Sequence, residues 1–231
     1  MLTRILHNSP KLTEFVERLD LSLTKPQLRH GLNLADAVLV CESAKTLAEL
    51  QRQFVQCVDA SNMADNLRCA PWTAAAVRQS VGAFLLQELV ARARQLNLPK
   101  VIYVSLDASL EPKDEQTKHL EAVAWHHDHL ASSQGKPRYK NGFVYLDCNL
   151  WICGLAGTYT LRLYLREKTV RQLNRNRSPE ERLHFVSKTH LARQILSELK
   201  PLLPADFAVV RWLAATARIE GRAVEHHGVA L

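Results

Sequence analysis

Val101-Ile102-Tyr103-Val104-Ser105-Leu106-Asp107 is an apolar, largely β-branched run that ends in a carboxylate. Such a run reads as a buried central strand delivering an acid to the edge of a sheet. A charge in that place is costly to bury without a cation, so Asp107 is a candidate ligand for a hard divalent ion. The plainer alternative is an exposed strand-end residue that caps a turn. Further along stands Trp125-His126-His127-Asp128-His129. Histidine is a common zinc ligand. Neighbouring residues of a strand point to opposite faces, however, so His126 and His127 do not readily share one ion, and zinc is disfavoured. Asp147 interrupts a second apolar run, Val144-Tyr145-Leu146-Asp147-Cys148. It joins Asp107 only if both side chains share a face, and the sequence alone assigns it no role.

The elements that must hold these residues fall into two regions. Residues 1–98 read as helical. The segment 10–19 has one apolar and one charged face. Thr24-Lys25-Pro26 is a cap followed by an early proline, opening a helix that continues through Val40. Another helix starts near Ser43, and Asp59-Ala60-Ser61-Asn62 has turn chemistry. Residues 73–96, rich in Ala, Leu, Gln and Arg, predict a long helix stopped by Asn97-Leu98-Pro99. From Val101 the pattern changes to strands, at 101–107, about 120–127, 142–153 and 158–165. Gly135-Lys136-Pro137 and Gly154-Leu155-Ala156-Gly157 supply turns, and the short links favour antiparallel pairing. Residues 171–181 are polar and basic and read as an exposed loop. A helix at 185–199 and a short strand at 206–210 follow.

The chain has 231 residues, with 47% hydrophobic and 23% charged residues, an ordinary globular balance. Its net charge of +7 fits a nucleic-acid partner, because Lys and Arg neutralise phosphates. The five cysteines form no C-x-x-C pair and read as buried apolar residues of a reducing compartment. No apolar stretch reaches the roughly 18 residues of a membrane helix, and no signal region opens the chain, so a cytoplasmic location is expected.

With these residues laid out, the chain resembles the transposases of bacterial insertion sequences of the DDE superfamily endonuclease type, over roughly residues 20–205. In the helical part the likeness rests on Leu23-Thr24-Lys25-Pro26-Gln27-Leu28-Arg29-His30. It continues in the stretch from Ala60-Ser61-Asn62 to Ala70-Pro71-Trp72. In the sheet part it rests on Leu106-Asp107-Ala108-Ser109-Leu110-Glu111-Pro112-Lys113, on Glu121-Ala122-Val123-Ala124-Trp125-His126-His127-Asp128-His129, and on Leu161-Arg162-Leu163-Tyr164-Leu165-Arg166. The separated matches, in order, carry the signal together. The resemblance implies an α+β fold, a helical N-terminal region followed by an incomplete ribonuclease H-like mixed sheet. It divides the chain into a helical, DNA-binding region at 1–98, a partial catalytic domain at 99–210 and a tail at 211–231 without family likeness. The activity implied is cleavage of DNA at element ends followed by strand transfer, with Mg²⁺ as cofactor and three acids as its ligands. Asp107 matches the first acid, as catalytic residue and metal ligand. The implied partner is DNA of the element ends. Bringing two ends together is compatible with a homo-oligomer, and no membrane is involved.

Phosphate contacts are expected from basic residues: Arg29 and Arg68 in the helical region, and Arg166, Lys168, Arg171, Arg175 and Arg177 in the basic stretch 166–182. A solvated basic face is the bland reading of each. Trp72 and Trp125 read as core residues.

The sequence departs from the family where the second acid belongs. After the 206–210 strand stands Arg211-Trp212-Leu213-Ala214, and no Asp or Glu occurs between Asp206 and Glu220. Glu220 and Glu225 stand too early for the third acid. A frameshift near Val209 is one explanation, since some codons for Val210-Arg211-Trp212 read one base later permit Phe-Asp-Gly. The expectation is therefore a truncated or frameshifted copy, inactive alone, with apolar sheet surface left uncovered. The alternative is a DNA-binding remnant that occupies element ends or inhibits the complete enzyme without catalysis.

Overall fold

A computed structural model describes residues 4–43, 45–56, 60–117, 120, 122–128, 131–133 and 135–213. Cys57, Asp59, Glu121, His129, Glu220 and Glu225 lie outside the described residues. The chain divides into two compact units, Met1–Phe84 and Leu85–Leu231.

The first unit holds helices α1 (Pro10–Arg18), α2 (Lys25–Val40), α3 (Leu47–Gln51) and α4 (Ala60–Cys69), and the start of α5 (Ala74–Gln95). The Thr24 backbone N–H donates to Gln27 Oε1, the reciprocal half of a capping box, and a proline occupies the first turn of α2. Thr46 caps α3 by accepting from the Glu49 N–H. Ile5, Ala37, Cys41, Leu50 and Phe54 form a small core. Buried Asp36 is satisfied by Asn8 Nδ2 and the Ser9 N–H. The turn expected at 59–62 is instead helical from Ala60, since Ala, Met and Leu farther on supply enough apolar surface to hold a helix.

The second unit is built on a mixed sheet. β1 (Val101–Pro112) pairs antiparallel with β3 (Tyr139–Ile152), which pairs antiparallel with β4 (Leu155–Tyr164). The short β2 (Ala124–His127) pairs with the start of β3. On the other edge of β1, β5 (Ala208–Leu213) runs parallel. The crossover to it carries α6 (Glu167–Leu173) and α7 (Lys188–Leu199). A sheet of three antiparallel strands joined by a helical crossover to a fourth, parallel strand beside the first is the order in which a ribonuclease H-like sheet begins. The fold is thus α+β, with helices at the N-terminus followed by this mixed sheet.

Strand alternation explains the core. Ile102, Val104, Leu106, Leu146, Cys148, Leu150 and Ile152 share one face and are buried. Leu86, Leu89, Val90 and Ala93 of α5 and Ile195 and Leu199 of α7 cover that face. On the opposite face Tyr103, Trp151, Leu161, Leu163 and Val210 stay exposed. β3 and β4 are joined by Cys153 and Gly154, with φ of 42° and 87°. Two positive φ values make the tight hairpin turn whose twist matches the strands. The turn therefore precedes Leu155-Ala156-Gly157, which belong to β4.

Two further expectations are corrected. β1 runs to Pro112, so Asp107 lies inside the strand and not at its end; pairing with β3 extends along its length. The basic segment at 171–181 is no open loop. It contains the end of α6 and two 3-10 turns, because Val170 and Thr169 bury one side of the helix and Arg171 pairs with Glu167 one turn back.

Candidate functional site

Asp107 and Asp147 are register partners across the β1–β3 ladder. Directly opposed residues of an antiparallel pair share a face with Cβ atoms about 5 Å apart, so the condition for joining Asp147 to Asp107 is met. Ser109 Oγ donates to Asp147 Oδ2, while Asp147 Oδ1 is buried without a hydrogen-bond partner. Asp107 Oδ1 accepts from the Ala108 N–H. The pairing of β1 with β5 ends at Leu106 and Leu213, so Asp107 lies one position beyond the last described pair. No carboxylate occurs between residues 206 and 220 to face it there. Asp206 itself is bound by Lys100 and Arg94, at 2.9 and 2.8 Å, and these hydrogen bonds hold its carboxyl below the usual range.

Beside Asp107 an open cleft of about 580 Å³ is lined by Ser109, Leu110, His126, Asp128, Lys140, Val144 and Lys188, among others. His126 and His127 point to opposite faces of β2, as their adjacency requires: His126 is buried, and His127 is exposed and stacks edge-on against Tyr139. Burial lowers the His126 pKa to about 4, and the charges of Arg166 and Lys188 push it the same way. Buried Asp128 is held by Lys140 Nζ at 2.7 Å. Lys188, the first residue of α7, lies 5.4 Å above the Tyr164 ring. Burial lowers its pKa, partly offset by the negative charge of Asp107. Trp125, expected in the core, is 45% exposed, because β2 is a four-residue strand with little packed over it.

The basic candidates separate by what they already bind. Arg29 is exposed on α2 and lines a shallow pocket with His7, Asn8 and Asn33. Arg68 is ion-paired with Asp65 on its own helix. Arg166 donates to the Trp125 carbonyl and Arg171 pairs with Glu167. Arg177 donates to the Glu181 carbonyl. Lys168 and Arg175 are exposed and carry no ion pair among the described residues. Arg29 and Arg68 belong to the first unit and the other five to the second.

Lys188 and Asp147 were not assigned from the sequence. Nothing local marks Lys188, which gains its setting from α7 docking beside the β1–β3 ladder. Asp147 carried a signal, an acid in an apolar run, but its face depends on a register that only the fold supplies.

Among the described residues no group of three or more His, Cys, Asp or Glu side chains is placed to hold a metal ion. The described residues offer an opposed pair of carboxylates and do not fit the three-acid Mg²⁺ site that the resemblance implies. No described helix is long and apolar enough to cross a membrane.

No family model matches the chain, and no curated protein matches it. Among solved structures it is similar, at 16% identity and a TM-score of 0.16, to a chain of the crystal structure of a pre-cleavage Mos1 transpososome. The match covers 78% of this chain and 59% of that one, so the chain spans less than two thirds of that neighbour.

Proposed function

We propose that the chain is a transposase polypeptide of the DDE type that binds DNA and does not by itself complete the catalytic site. Asp107 carries this reading: it stands in the central strand of a ribonuclease H-order sheet, where such enzymes place their first acid. The absence of any carboxylate in residues 207–219 supports the second half, since the strand beside β1 then delivers no acid toward Asp107. The net charge of +7 and the exposed cations Lys168 and Arg175, which carry no ion pair among the described residues, support DNA as the partner.

The test combines binding and cleavage with the full chain. Fluorescence anisotropy on duplex DNA between about 50 and 200 mM salt is expected to show affinity that falls steeply with salt. Plasmid nicking with Mg²⁺ is expected to stay at background for the wild type and Asp107→Asn alike. Salt-insensitive or absent DNA binding overturns the DNA reading. Mg²⁺-dependent nicking that Asp107→Asn abolishes overturns the claim of an incomplete site. Sequencing the flanking DNA gives an independent check: a shifted frame with an Asp-x-Trp-Tyr-like segment between inverted repeats supports a frameshifted copy.

A second reading, an end-binding module that acts without catalysis, is favoured by the separate core of the first unit. Inhibition of a complete transposase by this chain, undiminished in Asp107→Asn, distinguishes it.

A further inference from the structure

The cleft beside Asp107 holds a buried histidine and two lysines. His126 is 9% exposed and lines it. Its ring bonds to the Gly142 backbone, and Nε2 is buried without a partner. The ring is neutral at pH 7, so when one nitrogen donates to a backbone carbonyl the other carries a bare lone pair. A buried acceptor left empty costs about 1–3 kcal/mol, which a ligand O–H or N–H recovers.

Two lysines, Lys140 and Lys188, line the same cleft with two carboxylates, Asp107 and Asp128, and Lys140 is already held by Asp128. Lys188 brings an ammonium group to the cleft from the first turn of α7, a helix of 12 residues whose N-terminus adds its own positive field. Leu110 and Val144 supply an apolar wall. A molecule with an anionic group, a nearby hydrogen-bond donor and an apolar body has the chemistry of a nucleotide. The cleft volume of about 580 Å³ lies within the range of small-molecule sites.

We propose that this cleft seats one nucleotide unit, with its phosphate at Lys188 and the first turn of α7, and with a sugar hydroxyl or base amino group donating to His126 Nε2. The proposal deepens the DNA reading above and rests on it. Asp107 competes with the phosphate for Lys188, so neutralising Asp107 tightens the site.

The probe is dAMP, titrated into the full chain and followed by the ¹⁵N resonances of the histidine rings. The His126 Nε2 resonance is expected to move on binding. His126→Phe is expected to weaken dAMP by about five- to tenfold. Lys188→Ala weakens dAMP and inorganic phosphate alike, whereas His126→Phe leaves inorganic phosphate unchanged, and Asp107→Asn tightens dAMP. A silent His126 resonance in a chain that still binds duplex DNA overturns the nucleotide site and leaves the DNA reading standing. Phosphate binding without any response of His126 to dAMP reduces the cleft to a plain anion site and also overturns the proposal. Loss of both dAMP and duplex binding overturns both readings.

Discussion

Acidification is expected to destabilise the second unit through His126. The unfolded chain holds this imidazole near its ordinary pKa of 6.5, and the folded chain holds it at about 4. Between these values the unfolded state binds the proton and the folded state does not. Stability is therefore fully present above about pH 6.5, falls as the pH drops toward 4, and levels off below. At ~1.4 kcal/mol per tenfold, the whole depression sets a ceiling of about 3.4 kcal/mol. Solvent screening in an open cleft reduces it, and only part is lost by pH 5, so the expected loss from pH 7.5 to 5 is about 1–2 kcal/mol. Urea unfolding of wild type and His126→Phe at pH 7.5, 6.5, 5.5 and 5 isolates the effect from the other histidines. The stability of the wild type relative to His126→Phe must fall by that amount as the pH falls. A difference constant across the series refutes the reasoning, because it would mean that His126 takes its proton equally in both states.

The close packing of the ladder gives a second expectation. A Cβ at Gly142 meets the Glu111 backbone oxygen at 2.2 Å, and backbone cannot yield as a side chain can. Gly142→Ala should cost about 2–3 kcal/mol in chemical denaturation. Gly157→Ala meets only the Leu85 side chain, the nearest atom at 2.5 Å, and should cost less than half as much. For DNA, Lys168→Ala and Arg175→Ala should each lower the salt slope of binding by about one. The same change at Arg68, already paired with Asp65, should have a smaller effect on anisotropy titrations.

Much of the framework was legible because it rests on local pattern. The β1 and β3 runs alternate or stay apolar over enough residues to fix strands, α2 and α7 carry caps, and α5 is a 22-residue run rich in Ala, Leu, Gln and Arg. α6 was hidden because its seven residues bury only Thr169 and Val170, too little apolar surface to stand out from a basic loop. Trp125 misled because an indole on a short strand reads as core until the strand's neighbours are known. Asp107 was found by its place in the run; the length of β1 beyond it was not, because Ser109, Glu111 and Pro112 are poor strand formers held there by β3. The cleft was invisible because His126, Lys140 and Lys188 come from separate elements and meet only when the crossover closes.

The opposed carboxylates make the sharpest link between register and role. Like charges directly across an antiparallel ladder repel, and a sheet under selection for stability alone has no reason to keep Asp147 facing Asp107. Asp147 Oδ1, buried without a hydrogen bond, adds to the strain. Local violations of this kind concentrate at functional sites, where stability is given up for a task. Asp147→Asn keeps the shape and the oxygen that accepts from Ser109, removes one charge and supplies an N–H₂ donor. It is therefore expected to stabilise the folded chain by about 0.5–1 kcal/mol at pH 7 and low salt, and by less at high salt. Measured by urea midpoint, a gain that shrinks with salt means the repulsion is real and that facing Asp107 costs the fold stability. A loss of stability refutes this: Asp147 would then be an ordinary structural acceptor, and Asp107 would stand alone as the acid of this face.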